Sequence, residues 1–287
     1  MIKLIILDVD GVLLGTKKGI NSPYPSQKVI EFLKKEQDLG VPVSLCTGKA
    51  SFATKLLIDQ MQLNNLHITD GGAVIFNPID NIVLESITLP IEPIKKLLQE
   101  TKSHNTFWEL YTLNNWFIHS NSEKKYAIKH QESSNIVPWK EVDDLLVLAK
   151  TEKLTKAMIL FPQDLEDFYK NIFSKYEDVL ALQWTYAPAL LPNKLLIITA
   201  KAIDKRSSVT KLIKQYNLKP DETLAVGDTM MDWKFMDGCG YIAAMGNADS
   251  EMKGIINGRG GFVGGDVDED GIIDIIEHFK QQIEYSK

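Results

Sequence analysis

The sequence predicts an α/β fold: a parallel sheet flanked by helices, interrupted once by an α+β insert. Three observations carry this. Short apolar runs alternate with amphipathic helical stretches up to Asn77-Pro78; alternating aromatic and polar positions then take over; and from Lys205 the first rhythm returns. The chain leaves one domain and comes back to it, so residues 1–77 and 200–287 are assigned to a core and 78–199 to the insert.

The elements follow in order. KLIILDVD is the first apolar run and the first strand. In SQKVIEFLKKEQ and just beyond, Val29, Ile30, Leu33 and Leu39 fall near one helical face, and Gly40 suits a C-terminal stop. VPVSLCTG is a second buried strand; SFATKLLIDQMQ is a helix leading to the run His67–Thr69 and the turn Asp70-Gly71-Gly72. SHNTFWELYTLNNWFIHS is an antiparallel hairpin turning at Asn114-Asn115. The helix-like VDDLLVLAK, the strand TKAMILF, the amphipathic DLEDFYKNIFSKY and the strands ALQWTY and KLLIIT complete the insert. Thereafter come the helix KRSSVTKLIKQY, the strand TLAVGD, a helix from Asp232 to Asp237, the strand GYIAAM, short turns and a last helix IIDIIEHFKQQI.

Composition narrows the function. With 287 residues, 44% hydrophobic and 24% charged, the chain can bury a sizeable core. Its net charge of -6, with no basic run, argues against nucleic acid as a partner. The apolar run Leu4–Leu7 is broken by Asp8 and Asp10, so it serves neither as a signal segment nor as a membrane span. Cys46 and Cys239, the only cysteines, read as buried thiols in a reducing, cytoplasmic setting. Monomer and homodimer both stay open.

In parallel α/β sheets ligands bind outside the carboxyl ends of the strands, so the residues after each apolar run matter most. After LIIL come Asp8 and Asp10; after VSL come Thr47, Gly48 and Lys49; after LAV come Gly227, Asp228 and, a turn later, Asp232. Lys205 opens the helix before the third of these strands. Carboxylates gathered at one sheet edge raise one another's pKa unless a cation shares the site. Hard oxygen donors with few histidines point to Mg2+, with a substrate phosphate oxygen completing its shell and a lysine and a hydroxyl holding the other phosphoryl oxygens.

These residues resemble the four motifs of the haloacid dehalogenase-like phosphohydrolases: Asp8-Val9-Asp10-Gly11-Val12, Thr47, Lys205, and Gly227-Asp228 with Asp232, in matching order and spacing. The insert between the second and third motifs looks like the C2-type cap of the Cof-like subgroup. The resemblance implies a Rossmann-like core with a lid. It further implies Asp8 as the nucleophile of an aspartyl-phosphate and Asp10 as the acid and base for the leaving oxygen and water. Thr47, Gly48 and Lys205 would bind the phosphoryl group. Mg2+ would be held by Asp8, Asp228, the Asp10 carbonyl and, directly or through water, Asp232. The dehalogenase branch lacks the second aspartate, so Asp10 favours phosphate-ester cleavage of a small phosphorylated metabolite, a sugar phosphate foremost. The alternatives are a phosphomutase and a catalytically weak binder of such metabolites. Three positions depart from the pattern: Met231 where asparagine is usual, Lys49 in place of arginine, and Gly71 in place of asparagine.

Other features read as structural. The aromatics Trp108, Tyr111, Trp116, Trp184 and Tyr186 fit cross-strand packing better than sugar stacking, and His119 fits a surface or packing role. Asp266–Glu277 spells a calcium loop, with aspartates at positions 1, 3, 5 and 9, glycine at 6 and glutamate at 12. The glycine-rich NGRGGFVGG before it excludes the entering helix, so Asp266, Asp268 and Asp270 are expected to be acids at the start of the last helix.

Overall fold

The computed structural model describes residues 1–104, 106–134, 136–186 and 190–285. Two compact units emerge: Met1–Gly48, Lys55–Leu84 and Lys205–Lys287 form the first, and Lys49–Thr54 with Glu85–Asp204 form the second. Strand β1 (Leu4–Leu7) is wholly buried, as its unbroken apolar run requires in a parallel sheet covered on both faces. Helix α1 (Gln27–Asp38) begins where the Ser26 hydroxyl accepts from the Val29 N–H and buries Val29, Ile30 and Leu33. Leu39, placed on that face from the sequence, is instead the C-terminal cap and 63% exposed, because the last turn has already rotated away from the core.

Strand β2 (Val43–Leu45), helix α2 (Ser51–Met61) and strand β3 (His67–Thr69) follow. β3 continues the parallel sheet only through a bridge between Cys46 and Ile68. It pairs antiparallel with β4 (Val74–Asn77), which borders β5 (Ile82–Ser86) in a separate three-stranded sheet.

His67 on β3 is fully buried, with the Leu45 N–H donating to its Nδ1 at 3.1 Å and its Nε2 lying 3.1 Å from the Leu63 carbonyl oxygen. A carbonyl can only accept, so Nε2 carries the proton and the ring is neutral. Burial pushes its pKa down to about 4. A folded-state pKa below the unfolded value, ordinarily about 6.5, stabilises fully above that pH and less as pH falls toward the folded value, a loss of roughly 3 kcal/mol. Thermal melts from pH 7 to 4 should therefore show a decline in Tm that His67→Asn flattens; parallel slopes would refute this assignment.

In the second unit the elements are α3 (Ile91–Glu100), β6 (Phe107–Tyr111), β7 (Trp116–His119), α4 (Lys124–Ser134), β8 (Lys140–Val142), α5 (Leu145–Thr151), β9 (Lys156–Phe161), α6 (Glu166–Phe173), β10 (Leu180–Thr185) and β11 (Lys194–Ala200). They build a six-stranded sheet of order β10-β11-β9-β6-β7-β8, antiparallel except between β7 and β8. The strand period of two sorts its residues. Trp108 and Leu110 enter one apolar core with Leu97, Leu148 and Phe173, while Phe107 and Tyr111 enter another with Trp116, Phe52 and Ala53. The hairpin tip lies one residue earlier than expected, at Leu113-Asn114, because Thr112 and Asn115 close it through backbone and hydroxyl bonds.

The chain returns to the first unit through α7 (Lys205–Gln215), β12 (Thr223–Gly227), α8 (Met230–Met236), β13 (Tyr241–Ala244), α9 (Ser250–Gly258), β14 (Phe262–Val263) and α10 (Gly271–Tyr285). The core sheet runs β14-β13-β12-β1-β2, parallel throughout. Helix α9 occupies ground where the sequence suggests only turns. Asp249 caps it by accepting from the Met252 N–H at 2.7 Å, and burial of Met252 and Ile256 outweighs the weak helix propensity of Gly254. Among the described residues no helix is long and apolar enough to cross a membrane.

Candidate active site

Adjacent strands β1 and β12 end at the same edge of the core sheet, which brings Asp8 and Asp228 together. The Asp8 N–H donates to the Val226 carbonyl at 3.1 Å, so the ladder reaches the first site residue. One residue past Asp10 the chain turns at Gly11, whose φ of +76° favours glycine; a Cβ there would lie 1.9 Å from an Asp228 carboxylate oxygen.

Lys205, first residue of α7, places its Nζ 3.3 Å from Asp8 Oδ1 and 3.0 Å from Asp232 Oδ1, and above the Phe235 ring at 5.3 Å from its centroid. α7 is fixed beside the Asp70–Gly72 turn by the Ser208 hydroxyl, which donates to the Gly72 carbonyl at 2.8 Å. Asp232 is 3% exposed, and its oxygens divide their work. Oδ1 takes the lysine; Oδ2 accepts from the Thr229 N–H at 3.2 Å and the Thr229 hydroxyl at 2.9 Å, capping α8. The Thr229-x-x-Asp232 spacing is the sequence signal for that cap.

Thr47 follows β2 and is buried, its N–H donating to the Ile68 carbonyl at 3.0 Å and its carbonyl accepting from the Gly71 N–H at 3.1 Å. Gly48 beside it is exposed. Lys49 belongs to the second unit. Asp10 is exposed, and its carboxylate stands outside the cluster that Asp8, Asp228 and Asp232 form. Met231 lies 46% exposed in the first turn of α8.

Charge makes this edge distinctive. Asp8, Asp228 and Asp232 each present a carboxylate oxygen within 4.8 Å of the others. Burial pushes the Asp8 carboxyl up to about 8; Lys205 pulls the other way, while Asp232, Asp10 and Asp228 add to the rise. Burial, then Asp232 and Asp10, push Asp228 up to about 7. Burial alone would lower the Lys205 pKa, yet Asp8 and its neighbours hold it above its ordinary value, so the ammonium persists. Three carboxyl groups share one ammonium, and two of them resist ionisation until a further positive charge arrives, so this set of hard oxygen donors fits a small divalent cation such as Mg2+.

Most of the aromatics expected to pack do so, and Tyr186 does not. Trp108, Tyr111 and Trp116 are core residues, and Trp184 packs edge-on against Phe161 and Phe173; Tyr186 is exposed. The His119 Nδ1 accepts from the Asn121 N–H in a local turn. Among the described residues Asp8, Asp228 and Asp232 form the one acidic group in which a side-chain oxygen from each lies within 4.8 Å of the others. The acids of the Asp266–Glu277 stretch differ from simple acids at a helix start. Asp266 caps a 3-10 turn at Val267–Glu269, Asp270 takes a positive φ of 59° and accepts from the Ser26 hydroxyl, and Asp268 accepts from residues 16 and 21. Both cysteines are free thiols whose pKa burial raises, that of Cys239 to about 11.

A family model for haloacid dehalogenase-like hydrolases matches residues 5–276. The chain belongs to that family. As a haloacid dehalogenase-like hydrolase it is an enzyme, with the parallel core and additional sheet found in solved structures of the family. Phosphatase YwpJ of Bacillus subtilis (strain 168) is 24% identical over 269 residues, 88% of this chain and 92% of its own. The 5-amino-6-(5-phospho-D-ribitylamino)uracil phosphatase YwtE of the same organism is 24% identical over 265 residues, 88% of this chain and 90% of its own. A solved haloacid dehalogenase-like hydrolase from Bacteroides thetaiotaomicron superposes with a TM-score of 0.83 at 21% identity, covering 97% of this chain and 100% of the other.

Proposed function

We propose that this hydrolase is a Mg2+-dependent phosphatase acting on a small phosphorylated metabolite, with phosphate esters of sugars or sugar alcohols as the preferred class. The observation that carries this reading is the meeting of Asp8, Asp228 and Asp232 with the Lys205 ammonium at the ends of two adjacent parallel strands. The phosphorylated ribityl chain in the name of its relative YwtE supports the substrate class.

In the first step an Asp8 carboxylate oxygen attacks phosphorus, the ester oxygen leaves, and Asp10 supplies its proton. In the second, Asp10 takes a proton from water, whose oxygen displaces Asp8 and frees inorganic phosphate. Lys205 and the Thr47 hydroxyl would donate to phosphoryl oxygens throughout, with Gly48 beside them, and Asp232 keeps the lysine aimed. Asp8 and Asp228, with the Asp10 carbonyl and Asp232, would hold Mg2+, which when bound neutralises charge gathering on the transferring group. The inserted segment 78–199 would act as the lid that excludes bulk water. Free thiols at Cys46 and Cys239 support a cytoplasmic setting.

The test is phosphate release from a panel of sugar phosphates, nucleotides and pyridoxal phosphate, with Mg2+ and with EDTA. Chelation should lower the best rate by at least about 100-fold. A rate indifferent to EDTA, or no release from any ester, would overturn the reading.

A further inference from the structure

We infer that the acidic turn Asp266–Asp270 is a clasp on the loop that follows the first strand, with Asp268 and Asn247 as positioning residues for Asp10. The stretch that spells a calcium loop thus has a different task. Residues 15–21 form a closed loop in which Gly15 donates to the Asn21 carbonyl at 3.0 Å and the Asn21 side chain accepts from the Lys17 N–H at 3.0 Å. The Asp268 carboxylate grips it, accepting from the Thr16 N–H at 2.9 Å, the Thr16 hydroxyl at 2.6 Å and the Asn21 amide at 2.8 Å. The turn's backbone joins in: the Val267 carbonyl accepts from the Asn21 amide at 3.1 Å and the Asp268 carbonyl from Lys17 Nζ at 2.8 Å. The fit is close enough that a Cβ on Gly15 would fall 2.0 Å from Asp268 Oδ1. Bonds from Thr16 and Asn21 hold the Asp268 carboxyl down to about 2, so it is an ionised acceptor at neutral pH.

Asn247 carries the grip to the site. Its amide donates to the Gly11 carbonyl at 2.8 Å while its oxygen accepts from the Val267 N–H at 2.9 Å, so one side chain spans the turn and the residue after Asp10. On the other side of Asp10 the Val9 carbonyl accepts from the Leu13 and Leu14 N–H groups, each at 2.9 Å. Asp10, whose proton must reach a leaving oxygen and later come from water, is therefore held from both flanks, and a misplacement of about 1 Å in such a group costs roughly 100-fold in rate. The positioning role rests on the phosphatase reading; the clasp does not.

The full-length protein is tested as Asp268→Ala, Asp268→Asn, Asn247→Ala and, as control, Glu269→Gln, an exposed acid of the same turn. Steady-state kinetics on the best ester are paired with hydrogen-exchange mass spectrometry. Asp268→Ala and Asn247→Ala should lower kcat about 10- to 100-fold with KM within about threefold, and Asp268→Asn should recover most of the rate, since its amide oxygen still accepts. Backbone exchange across residues 8–22 should quicken at least tenfold in Asp268→Ala and stay slow in the control. Unchanged exchange there, or faster exchange with an intact kcat, would overturn the proposal. A wild type that releases no phosphate would fail the phosphatase reading, and exchange alone would then decide the clasp.

Discussion

Exchanging Asp8 for asparagine is expected to lower kcat by at least about 10^4-fold while raising the melting temperature of the metal-free protein. The two effects share one cause. Asp8 sits 7% exposed beside Asp228 and Asp232, and its folded-state pKa is raised to about 8. A carboxyl raised so far above its unfolded value costs stability from the ordinary carboxylate range upward in pH, because the unfolded chain gives up that proton freely while the folded one must hold it or ionise against burial. An amide of nearly the same shape removes that cost along with the proposed nucleophile. Magnesium should reverse the ranking. At 100 times its dissociation constant a ligand specific for the folded state adds about 2.7 kcal/mol, which the wild type gains and Asp8→Asn largely forgoes. Calorimetric melts with EDTA and with Mg2+, alongside phosphate release, read both effects. A variant less stable than the wild type in EDTA would show that the carboxylates are already balanced by protein groups.

Lys205→Met should fail in the opposite way, losing rate and stability together. The ammonium faces Asp8 and Asp232 with its side chain 13% exposed and is the cation both carboxylates contact. Removing one partner of a buried ionic cluster costs about 3 kcal/mol, and losing one preorganised donor to a phosphoryl oxygen costs about 10^2- to 10^3-fold in rate. Lys205→Arg separates the two. It keeps the charge, and with it much of the stability, but its broad planar head cannot reproduce a point donor between two carboxylates, so the rate should stay low. Denaturant midpoints and kcat/KM for both variants would show it; an arginine variant with wild-type activity would remove Lys205 from phosphate binding.

Much of this was legible in the chain. Asp8, Asp228 and Thr47 could be placed because each directly follows an apolar run, and a strand end in a parallel sheet is a location as well as a local shape. Lys205 and Asp232 needed motif order, since a lysine at a helix start means little alone. What stayed hidden depends on partners far apart in sequence. Asn247 reaches Gly11 across 236 residues and Asp268 reaches Thr16 across 252, distances over which periodicity carries no information. The calcium-like spelling misleads for the same reason: it records spacing along one loop, whereas the acceptors of Asp268 are filled from another. Helix α9 escaped because its glycines weaken the periodic signal, and its capping Asp249 reads equally well as a turn residue.

The division of labour within Asp232 bears on how this site can be inherited. One oxygen holds Lys205 and the other caps α8, so asparagine would keep the cap but set an amide against the ammonium, and alanine would lose both. A lineage that abandoned the reaction would still be penalised for changing this position, whereas it would gain stability by neutralising Asp8. An intact motif with Asp232 in place therefore testifies to a well-built helix start, and under the proposed mechanism the residue whose loss would mark a retired enzyme is Asp8.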